Sequence, residues 1–202
     1  MKIAFPLAAV AALALAAPAA ATEVAVTRFH TAESLAAAAP GPIAVRAGTG
    51  LEPGSLESQA WTDAVAAALV RQGFTVVANA PRVAVVNLEQ VEVENGRARS
   101  GSGVSVGVGV GSGGGYYGRR SGVNLGLGLG FLFGGNRSSA ALDSTLAVAI
   151  EDANGVRAWE GRAEAAPRAG SKDADPRRLA GEMAGRLFAG FPGVSGATIA
   201  AR

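Results

Sequence analysis

The chain has 202 residues, with 18 lysines and arginines against 16 acids and a single histidine, so its formal charge is +2 at neutral pH. So small an excess supplies no basic field for nucleic acid. The absence of cysteine excludes a disulfide framework, thiol catalysis and soft-metal thiolate sites.

The first 21 residues stand apart from the rest. Lys2 is a short positive head, residues 3–17 are apolar apart from Pro6, and Ala19-Ala20-Ala21 after Pro18 is a small-residue cleavage site. This reads as a secretory signal peptide cleaved after Ala21, which sends the mature chain, residues 22–202, to the periplasm. Losing Lys2 lowers the basic count from 18 to 17 and leaves a mature charge of about +1. No cysteine follows the cleavage site, so this signal does not lead to a lipid-anchored N-terminus. No later stretch approaches the roughly 20 continuous apolar residues of a membrane helix. The mature length suits one domain with a real core.

Residues 22–30 alternate, with Val24, Val26 and Arg28 opposite Ala25, Thr27 and Phe29; the period of two predicts a strand. His30 closes it. A catalytic histidine needs a nucleophile and an orienting partner, and the sequence names neither, so His30 reads as a surface residue ending a strand. Residues 43–46 form a short strand after Pro40-Gly41-Pro42, and 48–54 a loop. A helix is expected from Ser55 or Leu56 to Gln72, with Ser55 as its cap. Its apolar stripe is Trp61, Val65, Ala68 and Leu69, and Gly73 stops it. A strand at 74–77 follows at once.

Residues 83–94 read as a longer strand whose phase changes. Val86 and Leu88 share one face while Val91 and Val93 have the other parity, so a bulge near Glu89-Gln90 is expected. Glu92 and Glu94 then face water.

Residues 101–135 hold two apolar–glycine alternations around Gly113-Gly114-Gly115-Tyr116-Tyr117-Gly118-Arg119-Arg120-Ser121. Val104, Val106, Val108 and Val110 line one face of the first alternation. Leu125, Leu127, Leu129, Phe131 and Phe133 line one face of the second. With Tyr116 and Tyr117 at the reversal, the stretch reads as a β-hairpin insertion over residues 100–138. Three readings fit it: a flexible glycine-rich insertion, an extension of the domain's own sheet, or an element for self-association or lipid contact. These eleven residues are the candidate interaction surface. Gly113-x-Gly115-x-x-Gly118 also matches the dinucleotide fingerprint in letters. That mechanism needs a helix N-terminus after the glycines to receive the pyrophosphate. Here Arg119-Arg120-Ser121-Gly122 and another glycine alternation follow, so the match is rejected.

Beyond the insertion, Leu142, Ser144, Leu146, Val148 and Ile150 alternate against Asp143, Thr145, Ala147, Ala149 and Glu151. Asp152-Ala153-Asn154-Gly155 is a hairpin turn, and residues 156–165 return. Trp159, Gly161 and Ala163 face inward on that strand, and Glu160, Arg162 and Glu164 face a wet surface where charges pair across strands. Asp175 caps the last helix with Pro176 in its first turn. Its broad stripe is Leu179, Ala180, Met183, Ala184, Leu187, Phe188 and Phe191, and Gly190 and Pro192 end it. The fold expected is α+β, or mixed α/β: a mostly antiparallel sheet with two helices on one face and the glycine-rich hairpin inserted.

No phosphate loop, zinc-binding helix motif or nucleophile elbow is present, and the acids are scattered over strand exteriors and turns. No catalytic, cofactor-binding or metal residue is nominated, and no cofactor is expected.

The segment 64–74 (Ala64-Val65-Ala66-Ala67-Ala68-Leu69-Val70-Arg71-Gln72-Gly73-Phe74) is followed by the glycine- and tyrosine-rich insertion. Then come Ala158-Trp159-Glu160-Gly161-Arg162-Ala163 and, at the end of the last helix, Phe191-Pro192-Gly193. This order resembles the exported bacterial proteins of domain of unknown function 4136. The resemblance implies an envelope-located α/β domain, often a lipoprotein, with no established activity and no catalytic residues to transfer. The missing lipobox cysteine is a departure from that pattern. Residues and resemblance together lead to an exported, non-enzymatic binding domain of the periplasm, whose partner is another envelope protein or a second copy. A peripheral outer-membrane protein that uses the hairpin for lipid contact or self-association is the alternative, and an enzyme or small-ligand binder with a cleft that the sequence does not reveal is the third reading.

Overall fold

A computed structural model describes residues 22–94, 97–99 and 140–201. The expected signal peptide and the 100–138 insertion lie outside the described residues. Among the described residues eight strands form one sheet: β1 (Val24–Phe29), β2 (Pro42–Ala47), β3 (Thr75–Val76), β4 (Val83–Glu94), β5 (Arg97–Arg99), β6 (Ala141–Glu151), β7 (Arg157–Ala165) and β8 (Thr198–Ala201). Their order is β3-β2-β4-β6-β7-β1-β8, with β5 paired to β4. All pairs are antiparallel except β2–β3 and β2–β4. The expected α+β class is therefore the one observed, with two parallel pairs on one flank.

Among the described residues three α-helices accompany the sheet, α1 (Ala32–Ala38), α2 (Leu56–Arg71) and α3 (Pro176–Phe188), with a 3-10 turn at Lys172–Ala174. The boundaries of α2 follow local chemistry. The Ser55 side chain accepts from Ser58 N at 3.0 Å, satisfying one of the four orphan donors of the first turn. At the other end Gly73 N donates to Val70 O and Phe74 N to Leu69 O, the paired reversal that glycine permits at its φ of +89°. The chain then enters β3 without a spacer. Asp175 caps α3 by accepting from Arg178 N at 3.1 Å.

The strands put Val24 and Val26, Ala84, Val86 and Leu88, Leu146, Val148 and Ile150, and Trp159 and Ala163 on the same face. That face meets the stripes of α2 and α3, and together they form one buried cluster. Burying a side chain of Leu, Ile, Phe or Met in it contributes about 1.5–3 kcal/mol.

The bulge expected near Glu89-Gln90 does not occur. β4 pairs with β6 in unbroken register from Val83↔Glu151 to Val93↔Ala141. The phase change in the sequence has another cause: the cover over the sheet changes along the strand. Past Leu88 the helix-side positions are Gln90 and Glu92. Gln90 Nε2 donates to the buried Ser144 Oγ at 3.0 Å, and Glu92 is exposed beside the 168–178 segment. The irregularity in the sheet lies at Ile150/Glu151, where β7 begins.

The loop between β2 and α2 is pinned to β4. Gly48 N donates to Val86 O, and Leu88 N to Thr49 O. Gly50 has φ +81°, and a Cβ there would collide with the Leu88 carbonyl. Gly50→Ala is expected to cost at least about 2 kcal/mol from left-handed strain and overpacking together. The urea midpoint measures it, and an unchanged midpoint would show that the loop is not fixed to the strand.

Candidate functional site

The helices cover one face of the sheet; the other carries a cavity of about 280 Å³. Its position follows from strand alternation. Residues opposite in parity to the core set, Thr27 and Phe29 on β1, Asn87 on β4, Ala147 and Ala149 on β6, Glu160, Arg162 and Glu164 on β7, and Thr198 on β8, all line it. The small side chains of Ala147 and Ala149 leave room for the hollow. Thr27 and Thr198 hydroxyls are 2.8 Å apart and tie β8 to β1 across the face. Asn87 Oδ1 accepts from Thr49 N at 2.8 Å, so its carbonyl holds the β2–α2 loop.

Charge on this face is partly paired. Arg157 Nη1 lies 2.7 Å from Glu160 Oε1, and its Nε 3.6 Å from Glu151 Oε1. The hydrogen bond to Glu160 holds the Arg157 guanidinium above its usual range. Arg162 Nη1 stands 3.8 Å from Glu164 Oε1, beyond hydrogen-bond reach. The wet outer face expected for β7 is found at Glu160 and Arg162, but Glu164 is only 8% exposed. Burial pushes its carboxyl above the ordinary glutamate range, and Arg162 only partly opposes this.

That shift has a sign. A carboxyl whose folded value is raised favours its protonated form in the folded protein. Its stabilising contribution is complete below the unfolded value of roughly 4.3 and is lost as pH rises through the folded one. Glu164→Gln is expected to raise the melting temperature above wild type at pH 7, with the gap closing as pH falls toward 4. Melting curves across that range test it, and a pH-independent gap would refute it.

A second, open groove of about 700 Å³ lies on the helix side, between Glu92, Leu142 and the 169–178 segment. Arg178 is engaged there with Asp173 at 3.1 Å. Among the described residues, no group of three or more His, Asp or Glu could hold a metal ion. No described helix is long and apolar enough to cross a membrane.

His30 follows β1 as expected, but it is half-buried and its ring works as a tie. Nε2 lies 3.0 Å from Gly193 O, His30 N donates to Ser195 Oγ, and that hydroxyl donates to His30 O. These bonds fasten the segment after α3 to the end of β1. The eleven interaction residues between Val104 and Phe133, Tyr116 and Tyr117 included, all lie outside the described residues.

Two features have no signature in the local sequence. Arg28 looked like a strand residue of no distinction; it is buried at the C-terminal end of α3 and caps three carbonyls. Glu164 looked solvated because its neighbours in sequence alternate in charge. Its burial depends on the strands β1 and β6 on either side, paired at Ala25 and Thr145, which no local pattern records.

The stretches 72–74, 159–161 and 191–193, far apart in sequence, meet at one corner. Trp159 stacks on Phe188 with centroids 5.2 Å apart and tilts against Phe191 at 5.3 Å, while Phe74 meets Phe191 edge-on at 5.4 Å. Trp159 Nε1 donates to Pro192 O at 3.0 Å, across from the cis Phe191-Pro192 bond. Gly161 lies beneath the Trp159 ring, where any Cβ would strike it.

No protein-family model matches the chain, and no curated protein does. Among solved structures, the PelC dodecamer from Paraburkholderia phytofirmans is similar over 81% of this chain and 94% of that one, at 12% identity and a TM-score of 0.43. A PDZ domain protein from Parabacteroides distasonis is similar over 89% of this chain and 39% of that one, at 11% identity and a TM-score of 0.48. At these identities and scores both are distant likenesses.

Proposed function

We propose that this chain is an exported cell-envelope protein whose domain is an interaction module and not an enzyme, of the kind grouped under domain of unknown function 4136 but without the lipid-anchoring cysteine. The observation that carries this reading is the asymmetry of the sheet. One face is sealed by α2 and α3 into the core; the other presents a hollow floored by alanines and rimmed by paired charges. Such a face receives a partner by shape and charge. The single histidine, the first residue to consider as a general base, is occupied in holding a loop.

The test is a photo-crosslinking amino acid placed at position 147 on the open face and, as a control, at exposed position 70 on α2. A discrete adduct in the periplasm from position 147 alone is the expected result. Equal labelling from both positions, or none, would remove the reading.

The apolar alternations of residues 101–135 support a second use of the chain, contact with lipid or another copy. Vesicle co-sedimentation of the mature chain, beside one with those residues replaced by a short Gly/Ser linker, tests it. Pelleting of the intact chain alone is the supporting result; pelleting of neither version removes lipid contact.

A further inference from the structure

We propose that the outer edge of β8 pairs with β8 of a second copy of this chain, antiparallel and about a two-fold axis through Ile199, so that two sheets join into one. This edge lies beside the open-face hollow and not in it, so the proposal goes beyond the reading above. Its first support is topology. β8 ends the strand order, and among the described residues no strand pairs with its outer side. Alternate residues of an edge strand turn their N–H and C=O groups outward, a ready template for another strand. Access is open, since Thr198, Ile199 and Ala200 are all exposed.

The second support is the lack of a guard. Edge strands are ordinarily protected by charge, proline or a bulge. β8 reads Thr-Ile-Ala-Ala and keeps unbroken register with β1 through Val24↔Ala201, Ala25↔Ala200, Val26↔Ile199 and Thr27↔Thr198. It therefore carries none of the three. The opposite terminal strand, β3, has only two residues and offers almost no edge.

The third support selects the partner. Ile199 pairs with the core residue Val26 and so stands on the helix side of the sheet, yet it is 47% exposed. Two-fold pairing keeps the helices of both copies on one side and sets Ile199 against its own counterpart, with Thr198 opposite Ala200. The half-exposed isoleucine gains an apolar neighbour, and no like charges meet. On the other side Thr198 lines the cavity, so the hollows of the two copies adjoin across the new pair. A strand pair this short buries less than a standard interface, which sets the expected dissociation constant at about 10–100 μM.

Sedimentation velocity of the mature chain tests this. A monomer–dimer equilibrium in that range is expected, weakened at least about tenfold by Ile199→Lys, which brings two ammonium groups face to face. The dimer is expected to persist when residues 101–135 are replaced by the Gly/Ser linker, which separates it from self-association through that stretch. Because the chain has no cysteine, Ile199→Cys treated with a short bismaleimide reads the register. A covalent dimer is expected from it and not from Val70→Cys on α2, where the position is also exposed. Thermal melts confirm that each variant folds. A chain that stays monomeric at all concentrations overturns the proposal, as does a dimer indifferent to Ile199→Lys, a dimer lost with the linker, or equal crosslinking from both cysteine variants.

Discussion

Trp159→Ala is expected to lower the unfolding free energy by about 3–5 kcal/mol, the range for removing a fully buried tryptophan. Trp159 is 1% exposed and joins three distant parts of the chain. Its ring contacts Phe188 at the end of α3 and Phe191 beyond it, and its Nε1 reaches Pro192 O. Alanine leaves a void against Gly161, which has no side chain to fill it, and strands the Pro192 carbonyl. Trp159→Phe separates the terms: the ring stack persists while the donor is lost, so about 1–2 kcal/mol is expected. Urea unfolding followed by circular dichroism reads both. A Trp159→Ala loss below about 2 kcal/mol would falsify the view that this ring organises the corner.

Arg28 carries the second large effect. Its Nε donates to Leu187 O at 2.8 Å, and its Nη2 to Arg186 O and Ala189 O at 3.0 Å each. Those carbonyls belong to the last turn of α3, where a helix has acceptors without intrahelical partners and a partial negative charge. Burial lowers the Arg28 pKa, but a guanidinium remains charged, so the site holds a permanent cation. Arg28→Met fills similar volume and is expected to cost about 3 kcal/mol, because buried carbonyls lose a charged donor. Arg28→Lys keeps the charge but not the planar fork that reaches three acceptors, and is expected to cost about 1–2 kcal/mol. If Lys and Met behave alike, the charge contributes little and the fork geometry is the whole effect.

Much of the fold is legible in the residues because local chemistry and tertiary demand agree. Ser55, Gly73, Asp175 and the 152–155 turn mark boundaries by satisfying backbone groups nearby, and α2, α3, β4, β6 and β7 all lie within about two residues of their expected places. Where cover and not periodicity decides, the sequence misleads: the parity change in β4 records the end of the helical layer and not a bulge. α1 is not legible in the sequence because Ala32–Ala38 has no amphipathic stripe, although Thr31 and Ser34 make a capping pair that marks its start. β8 is four residues of Thr, Ile and Ala, too short to announce itself, and exists because β1 offers an edge. The open-face site was hidden for the same reason. Glu160, Arg162 and Glu164 look identical in a strand pattern, and only the neighbouring strands distinguish the buried one.

The placement of β1 bears on the order of events during synthesis. Its two neighbours are β7 and β8, so Phe29 pairs with Glu160 and Val24 with both Ala165 and Ala201. β1 must wait for roughly 130 residues before its partner β7 emerges, and closing a loop of that length costs about 4 kcal/mol in chain entropy. The sheet therefore cannot seal until β7 has been made. Premature folding is discouraged by connectivity alone, and the aromatic corner, which draws on Phe188 and Phe191, locks only after α3 and the segment behind it have been made.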